Sequence, residues 1–348
     1  TLRGPVAAGR TRLMLRLPHF RYLAPRDLDE AAALLAEHAP RAAVVAGGTD
    51  LYPNMKRRQQ EPAILIGLRG ISCLRRIEPV DDSLRIGATA SLHEVATHPV
   101  VQQRYPALSL AAGLVSTPHL RRMGTLGGNL CLDTRCTYYD QTYHWRKSID
   151  FCLKKDGQIC WVAPGSKRCW AVSSSDTAPV AVALRARLSL ASATGKRNVD
   201  AGEFFRDDGI LYLTRRPDEI LSSIEFPGLD GWHMTYQKLR RRGSFDFPIL
   251  GVAAAVKIAD GVVEDARLVL GAVGSSPVDQ SNLAQPLVGT RPTREAIQAV
   301  AAEAYKGARP LDNTDLNYAW RKKMARVYVE RALARVCGVQ LPALNAEQ

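Results

Sequence analysis

The stretch Ala42-Ala-Val-Val-Ala-Gly-Gly-Thr-Asp-Leu51 decides how the first half of the chain is read. Its apolar start reads as a short buried strand, which stops where Gly47 and Gly48 meet Thr49 and Asp50. Glycine lets the backbone approach an anion closely, and neighbouring amides with a threonine hydroxyl supply donors, so such a loop suits pyrophosphate. For one such pair alone, a tight turn needing positive φ is the preferred reading, by about two to one. A second pair, in Thr125-Leu-Gly-Gly-Asn129, shifts the balance, because two loops of this kind can clamp a dinucleotide from two sides. Neither matches G-x-G-x-x-G, which leaves a Rossmann nicotinamide site with little support.

Outward from these loops, residues 27–38 place Leu28, Ala31, Ala32 and Leu35 on one helical face, with acids in the first turn. Strands are expected over 63–68 and 84–88, and Ser91 with Glu94 has the spacing of a capping box that starts a helix. Another helix is expected over 105–115. Periodicity then fails from Cys131 to Trp170, which reads as an insertion crowded with cysteine, aromatic and basic residues. Regular patterning resumes over 181–191. Strands are expected over 219–226 and 234–240, with a domain boundary in the turn-rich segment 227–232 between them. The remainder reads as two antiparallel strands, 251–258 and 266–272, joined through Asp260-Gly261, a helix capped by Thr293 and running to Tyr305, and a long helix over 315–336.

The 348 residues suffice for two or three compact domains, with 46% apolar and 23% charged residues in the ordinary globular balance. No apolar run is long enough to cross a bilayer as a helix. The net charge of +13 comes from lysines and arginines scattered along the chain, without a recognised nucleic-acid module, and suits acidic protein partners or anionic cofactors. Six arginines and no acid precede Asp27, and residues 1–16 are expected to be a flexible leader or to follow an upstream start codon. They lack the apolar core of a secretory signal, and a cytoplasmic location is expected.

Five of the seven cysteines fall between Cys131 and Cys169. In a reducing compartment, grouped thiols serve metals or redox chemistry more often than disulfides. Four of them, Cys136, Cys152, Cys160 and Cys169, are separated by fifteen, seven and eight residues, and four thiolates suit an iron-sulfur cluster or structural zinc. Zinc ribbons use paired C-x2-C knuckles, which are absent, so the wide spacing favours iron-sulfur. Cys131 leaves the arithmetic ambiguous. Its place directly after the second glycine loop favours a packed thiol, and Cys73 and Cys337 read as core thiols. The histidines are not grouped with carboxylates, and no nucleophile elbow occurs. Redox cofactors are therefore expected to do the work.

In order and spacing, Ala46-Gly-Gly-Thr-Asp-Leu51, Thr125-Leu-Gly-Gly-Asn129, Ser175-Asp-Thr-Ala-Pro179 and Lys238-Leu-Arg-Arg-Arg-Gly-Ser-Phe-Asp-Phe247 resemble the motifs of flavin subunits in the xanthine dehydrogenase and molybdenum hydroxylase family. The resemblance implies an α+β fold: a two-subdomain, vanillyl-alcohol-oxidase-like FAD-binding domain over 17–228, a small C-terminal α+β domain over 229–338 and a tail over 339–348. It implies an FAD site made by Ala46, Gly47, Gly48, Thr49, Asp50, Thr125, Leu126, Gly127, Gly128 and Asn129. Asp176 is expected on the ribityl or adenosine side, Leu221 against the flavin and Lys238 near an isoalloxazine carbonyl.

The insertion, about 131–171, is similar to that in the β subunit of 4-hydroxybenzoyl-CoA reductase, which carries a 4Fe-4S cluster. That likeness implies Cys136, Cys152, Cys160 and Cys169 as ligands, with Cys131 outside the set. It further implies a large molybdenum subunit and a small 2Fe-2S subunit as partners, in a dimer of heterotrimers, with ferredoxin as a donor. An oxidising aromatic or purine hydroxylase is the rival enzyme, and a zinc-binding assembly scaffold the rival outside redox chemistry.

Overall fold

The computed structural model describes residues 15–341. The leader expected over 1–16 lies outside the described residues up to position 14, as does the end of the tail, 342–348.

The first layer consists of β1 (Arg21–Leu23), α1 (Leu28–His38), β2 (Ala42–Val45), α2 (Leu51–Lys56) and β3 (Ile64–Gly67), whose strands form a parallel sheet in the order β1-β3-β2. Asp27 caps α1 by accepting the Glu30 amide, and Asp29 and Glu30 suit the positive helix end. The apolar face of α1 buries Ala31, Ala32 and Leu35 in a cluster with Ile64 and Ile66. The 42–46 strand forms as β2, but only Val45 is fully buried. The others are half-buried because this strand lines a cavity.

The second layer contains β4 (Ile77–Val80), β5 (Ser83–Gly87), α3 (Leu92–Thr97), α4 (Pro99–Arg104), α5 (Pro106–Leu114), α6 (Pro118–Met123) and α7 (Leu126–Leu130). After α8 (Tyr143–Ser148) it continues with α9 (Thr177–Ala183), β6 (Arg187–Ser192), β7 (Gly195–Asp200), α10 (Ala201–Phe204) and β8 (Ile220–Phe226). Its five antiparallel strands run β4-β5-β8-β6-β7. Both halves of the Ser91–Glu94 capping box are formed. Helices α4, α5 and α6 each begin at a proline, where the missing N–H costs no helical bond.

The third layer is the sheet β12-β11-β10-β9, built from β9 (Trp232–Leu239), β10 (Leu250–Ala259), β11 (Val262–Gly271) and β12 (Val278–Asp279). It is followed by α11 (Arg294–Gly307) and α12 (Tyr318–Cys337). Asp260 and Gly261 both have left-handed φ, the two-residue hairpin turn that matches strand twist. Alternation along β10 gives this sheet two cores. Leu250, Val252, Ala254 and Val256 pack with α11 and α12, whereas Ala253 and Ala255 belong to the main core of the second layer.

Three expectations change. The last helix starts at Tyr318, because Leu316 turns left-handed and Asn317 caps the Ala319 and Trp320 amides. Cys73 is exposed and is no core thiol, while Cys337 is half-buried beside the C-terminal core. Within 131–171, α8 interrupts an otherwise irregular path whose neck is closed by reciprocal backbone bonds between Arg135 and Val172, at 2.8 and 2.7 Å.

A candidate flavin pocket beside a buried thiol cluster

Between the first two layers lies a cavity of about 840 Å³, within the roughly 300–1,000 Å³ range of ligand sites. Both glycine loops line it. Every residue expected to hold FAD is on its wall except Leu126, which points into the core, and Lys238, which stands behind Asp176.

The glycines are required by protein as well as by any ligand. A Cβ on Gly47 would sit 1.8 Å from the Met123 carbonyl oxygen, and one on Gly127 would sit 2.8 Å from that of Ala88. The two loops therefore grip neighbouring backbone, and Gly48, at φ +70, supplies the one positive-φ turn between them. Thr125 accepts the Gly128 amide at 3.0 Å and keeps its own hydroxyl proton for another acceptor. Asn129 is fixed through its Oδ1, which accepts from the Ser175 hydroxyl, the Thr177 hydroxyl and the Thr177 amide. Thr89 Oγ1 and Asn313 Oδ1 on the same wall are buried without a hydrogen-bond partner among the described residues. A polar dinucleotide fits such a wall, because each orphaned atom would otherwise be costly to bury.

Asp176 accepts from Tyr236 Oη and from Lys238 Nζ, both at 2.9 Å, and the two charged side chains are almost fully buried. Burial pushes the carboxyl up and the ammonium down, while their pairing opposes both shifts. Lys238 also donates to the Leu114 carbonyl, so this pair braces the cavity wall from behind.

At the opposite rim the cavity meets the insertion. Burial pushes Asp50 up to about 6, against the pull of Arg135. Arg135 bridges Asp50 at 3.2 Å and Asp140 at 3.1 Å, and Asp140 accepts the Cys136 amide at 3.1 Å. Cys136 itself lines the cavity. Sequence reasoning missed Arg135, Asp140 and Asp133, and it saw Lys154 only as one of the basic residues around the cysteines, since a single charge inside an irregular segment carries no spacing signal. Lys154 is buried, donating to Asp133, Thr134 and the Gly209 carbonyl.

Cys136, Cys152, Cys160 and Cys169 are all buried, between 4% and 7% exposed, and neighbouring thiols add to the upward push of burial on Cys136, Cys152 and Cys169. Burial pushes Cys136 up to about 12 and Cys169 up to about 11, so thiolates here require a cation on the sulfur. Gly157 packs against the Cys152 amide and Gly209 against the Cys169 sulfur, each too closely for a side chain. Among the described residues no three His, Cys, Asp or Glu side chains stand close enough to share one metal ion. Four buried cysteines in one insertion supply the ligand number of either a tetrahedral metal site or an iron-sulfur cluster. Cys131 also lines the cavity, where burial raises its pKa against the pull of Arg215, and it packs against the main core.

The fold and the glycine-lined cavity define a two-part FAD-binding domain joined to a C-terminal sheet-and-helix domain. The family described as the FAD binding domain in molybdopterin dehydrogenase matches residues 18–229, and the CO dehydrogenase flavoprotein C-terminal domain matches 234–336. The chain belongs to this family of FAD-binding medium subunits of molybdenum hydroxylases. It is 28% identical to the carbon monoxide dehydrogenase medium chain of Hydrogenophaga pseudoflava, over 91% of this chain and 96% of that one. It is 32% identical to the aldehyde oxidoreductase FAD-binding subunit PaoB of Escherichia coli, over 71% and 79%. A solved structure of Hydrogenophaga pseudoflava carbon monoxide dehydrogenase lacking the Mo-pyranopterin moiety superposes with a TM-score of 0.77 at 27% identity, covering 93% of this chain and 99% of that chain. Among the described residues no helix is long and apolar enough to cross a membrane.

Proposed function

We propose that this chain is the electron-transfer subunit of a molybdenum-containing complex and carries a 4Fe-4S cluster on Cys136, Cys152, Cys160 and Cys169 beside its FAD. The observation that carries the reading is the shared wall: Cys136 belongs to the buried thiol group and lines the flavin cavity. Bound there, flavin and cluster would supply redox chemistry, exchanging electrons with 2Fe-2S and molybdenum centres on a small and a large partner subunit. The chain's own residues bind and shield. Gly47, Gly48, Thr49, Thr125, Gly127, Gly128 and Asn129 would hold the dinucleotide, and Leu221 presents an apolar wall. Asp176 and Lys238 hold that wall in place, and the aromatic insertion excludes water from the thiols.

The finer reading is a 4-hydroxybenzoyl-CoA reductase, fed by ferredoxin and assembled as a dimer of heterotrimers, and the cysteine-bearing insertion supports it. The oxidising direction is favoured by a different observation. The relatives are named as dehydrogenases and oxidoreductases of carbon monoxide, glyceraldehyde, nicotinate, caffeine and aldehydes. Turnover decides between them. Consumption of 4-hydroxybenzoyl-CoA by the purified complex with a low-potential donor supports the reductase. Oxidation of aldehydes or N-heteroaromatics with an electron acceptor, and none of the thioester, discards it.

A further inference from the structure

The neck of the insertion starts as a short antiparallel ladder, in which Arg135 and Val172 exchange both backbone hydrogen bonds. In such a ladder the next exchanging pair lies two residues further along each strand, which here means Thr137 and Trp170. At that point the ladder breaks. The Thr137 amide donates instead to the Asn313 carbonyl at 2.9 Å, and Asn313 Nδ2 donates to the Trp170 carbonyl at 2.6 Å. Asn313 thus stands in for the missing partner of each arm and wedges the two apart, directly beside Cys136 on one arm and Cys169 on the other.

The wedge is itself held. Asn313 lies in the C-terminal domain between α11 and α12 and is 3% exposed. Its amide donates to the Leu311 carbonyl, which also accepts from Arg321 Nη1, both at 2.9 Å. Arg321 is fully buried on α12, and its Nη2 donates to the Ala272 carbonyl just past β11. On the exit arm Ser173 donates its amide to the Gly274 carbonyl at 2.9 Å, so the same domain grips the neck twice. Asn313 also lines the flavin cavity, as do Cys136 and Thr137, and its Oδ1 has no partner among the described residues.

We propose that Asn313 is a positioning residue for the relay: it sets the separation of the Cys136 and Cys169 arms and so seats the cluster at the flavin wall. This rests on the cluster reading above. Without the side chain the Trp170 carbonyl loses its donor, and an unpaired carbonyl must be hydrated or re-paired. The vacated space then admits water beside the thiols. Water stabilises the more negative, reduced cluster more than the oxidised one, so the potential moves positive.

The test compares wild type, Asn313→Ala and Val300→Ala in the anaerobically purified complex. It reads iron and FAD content, melting temperature and the cluster's midpoint potential by EPR-monitored titration. Val300 is buried in the C-terminal core on α11, so its truncation weakens the same domain away from the neck. The expected result is FAD retained throughout and a lower melting temperature in both variants, with a positive shift of potential, or loss of the cluster, in Asn313→Ala alone. A potential unmoved in Asn313→Ala, or moved equally in Val300→Ala, overturns the proposal. If Asn313→Ala does not assemble, Asn313→Ser is read by the same titration with the same outcomes. A wild-type complex without the extra cluster would instead overturn the cluster reading itself, and this inference with it.

Discussion

The flavin cavity and the thiol insertion touch at Cys136 yet are built by different means. The cavity is walled by β2, the start of α2, and α7, and its glycines are fixed by backbone pressed on backbone at Met123 and Ala88. The insertion has one short helix, and its path is held by Arg135, Arg146 and Lys154 reaching carboxylates and carbonyls. A scaffold of regular elements keeps its shape without a ligand. A loop held by buried cations around four buried thiols should depend on what fills its centre.

That contrast breaks most readily from the insertion side. In Cys152→Ser the cluster signal should vanish while FAD stays bound, and hydrogen exchange should rise across 136–170 and not in β2 or α7. Loss of FAD together with the cluster would show that the two regions are one folding unit. A smaller effect is expected from the cavity side. Gly47→Ala drives a methyl into the Met123 carbonyl and should cost about 1–3 kcal/mol of stability, as overpacking does, with weaker FAD retention. Thermal denaturation checks this, and an unchanged melting temperature would mean that the loops separate easily.

The smallest effect concerns the rim between the regions. Asp50 has a folded value of about 6 against an ordinary 3.8, so the folded chain holds its proton more tightly than the unfolded chain. The stabilisation from that proton is complete below the ordinary value and is lost as the pH rises through about 6. The side chain keeps 25% of its surface exposed, which limits the size of the effect. Melting curves of wild type and Asp50→Asn should therefore differ in slope between about pH 4 and 6. Parallel curves would contradict the assignment of Asp50 as the titrating group.

The same contrast explains what was legible in the sequence. The apolar face announced α1, capping residues announced α3 and α11, the Asp260-Gly261 turn marked the β10–β11 pair, and the glycine loops marked the cavity, because each signal is local. The short strand β1 and helix α4 carry too few residues to show a period. The start of α12 was misplaced by three residues because Asn317 caps it and the apolar pattern alone does not mark the cap. Within the insertion the cysteines were visible by type alone. The contacts of the charges that hold them were not, since Arg135 meets Asp50 across 85 positions and Arg146 meets Arg57 across 89. Lys238 shows the opposite failure: its motif was visible, but its ammonium is taken by Asp176 behind the cavity wall.

The most direct test is metal and flavin analysis of the anaerobically purified complex, with the Cys152→Ser complex as the blank that subtracts the partners' iron. One FAD per chain and an excess of about four iron atoms, with no zinc, is the predicted result. Equal iron in the two complexes, or one zinc per chain in the wild type alone, would contradict a cluster on these thiols.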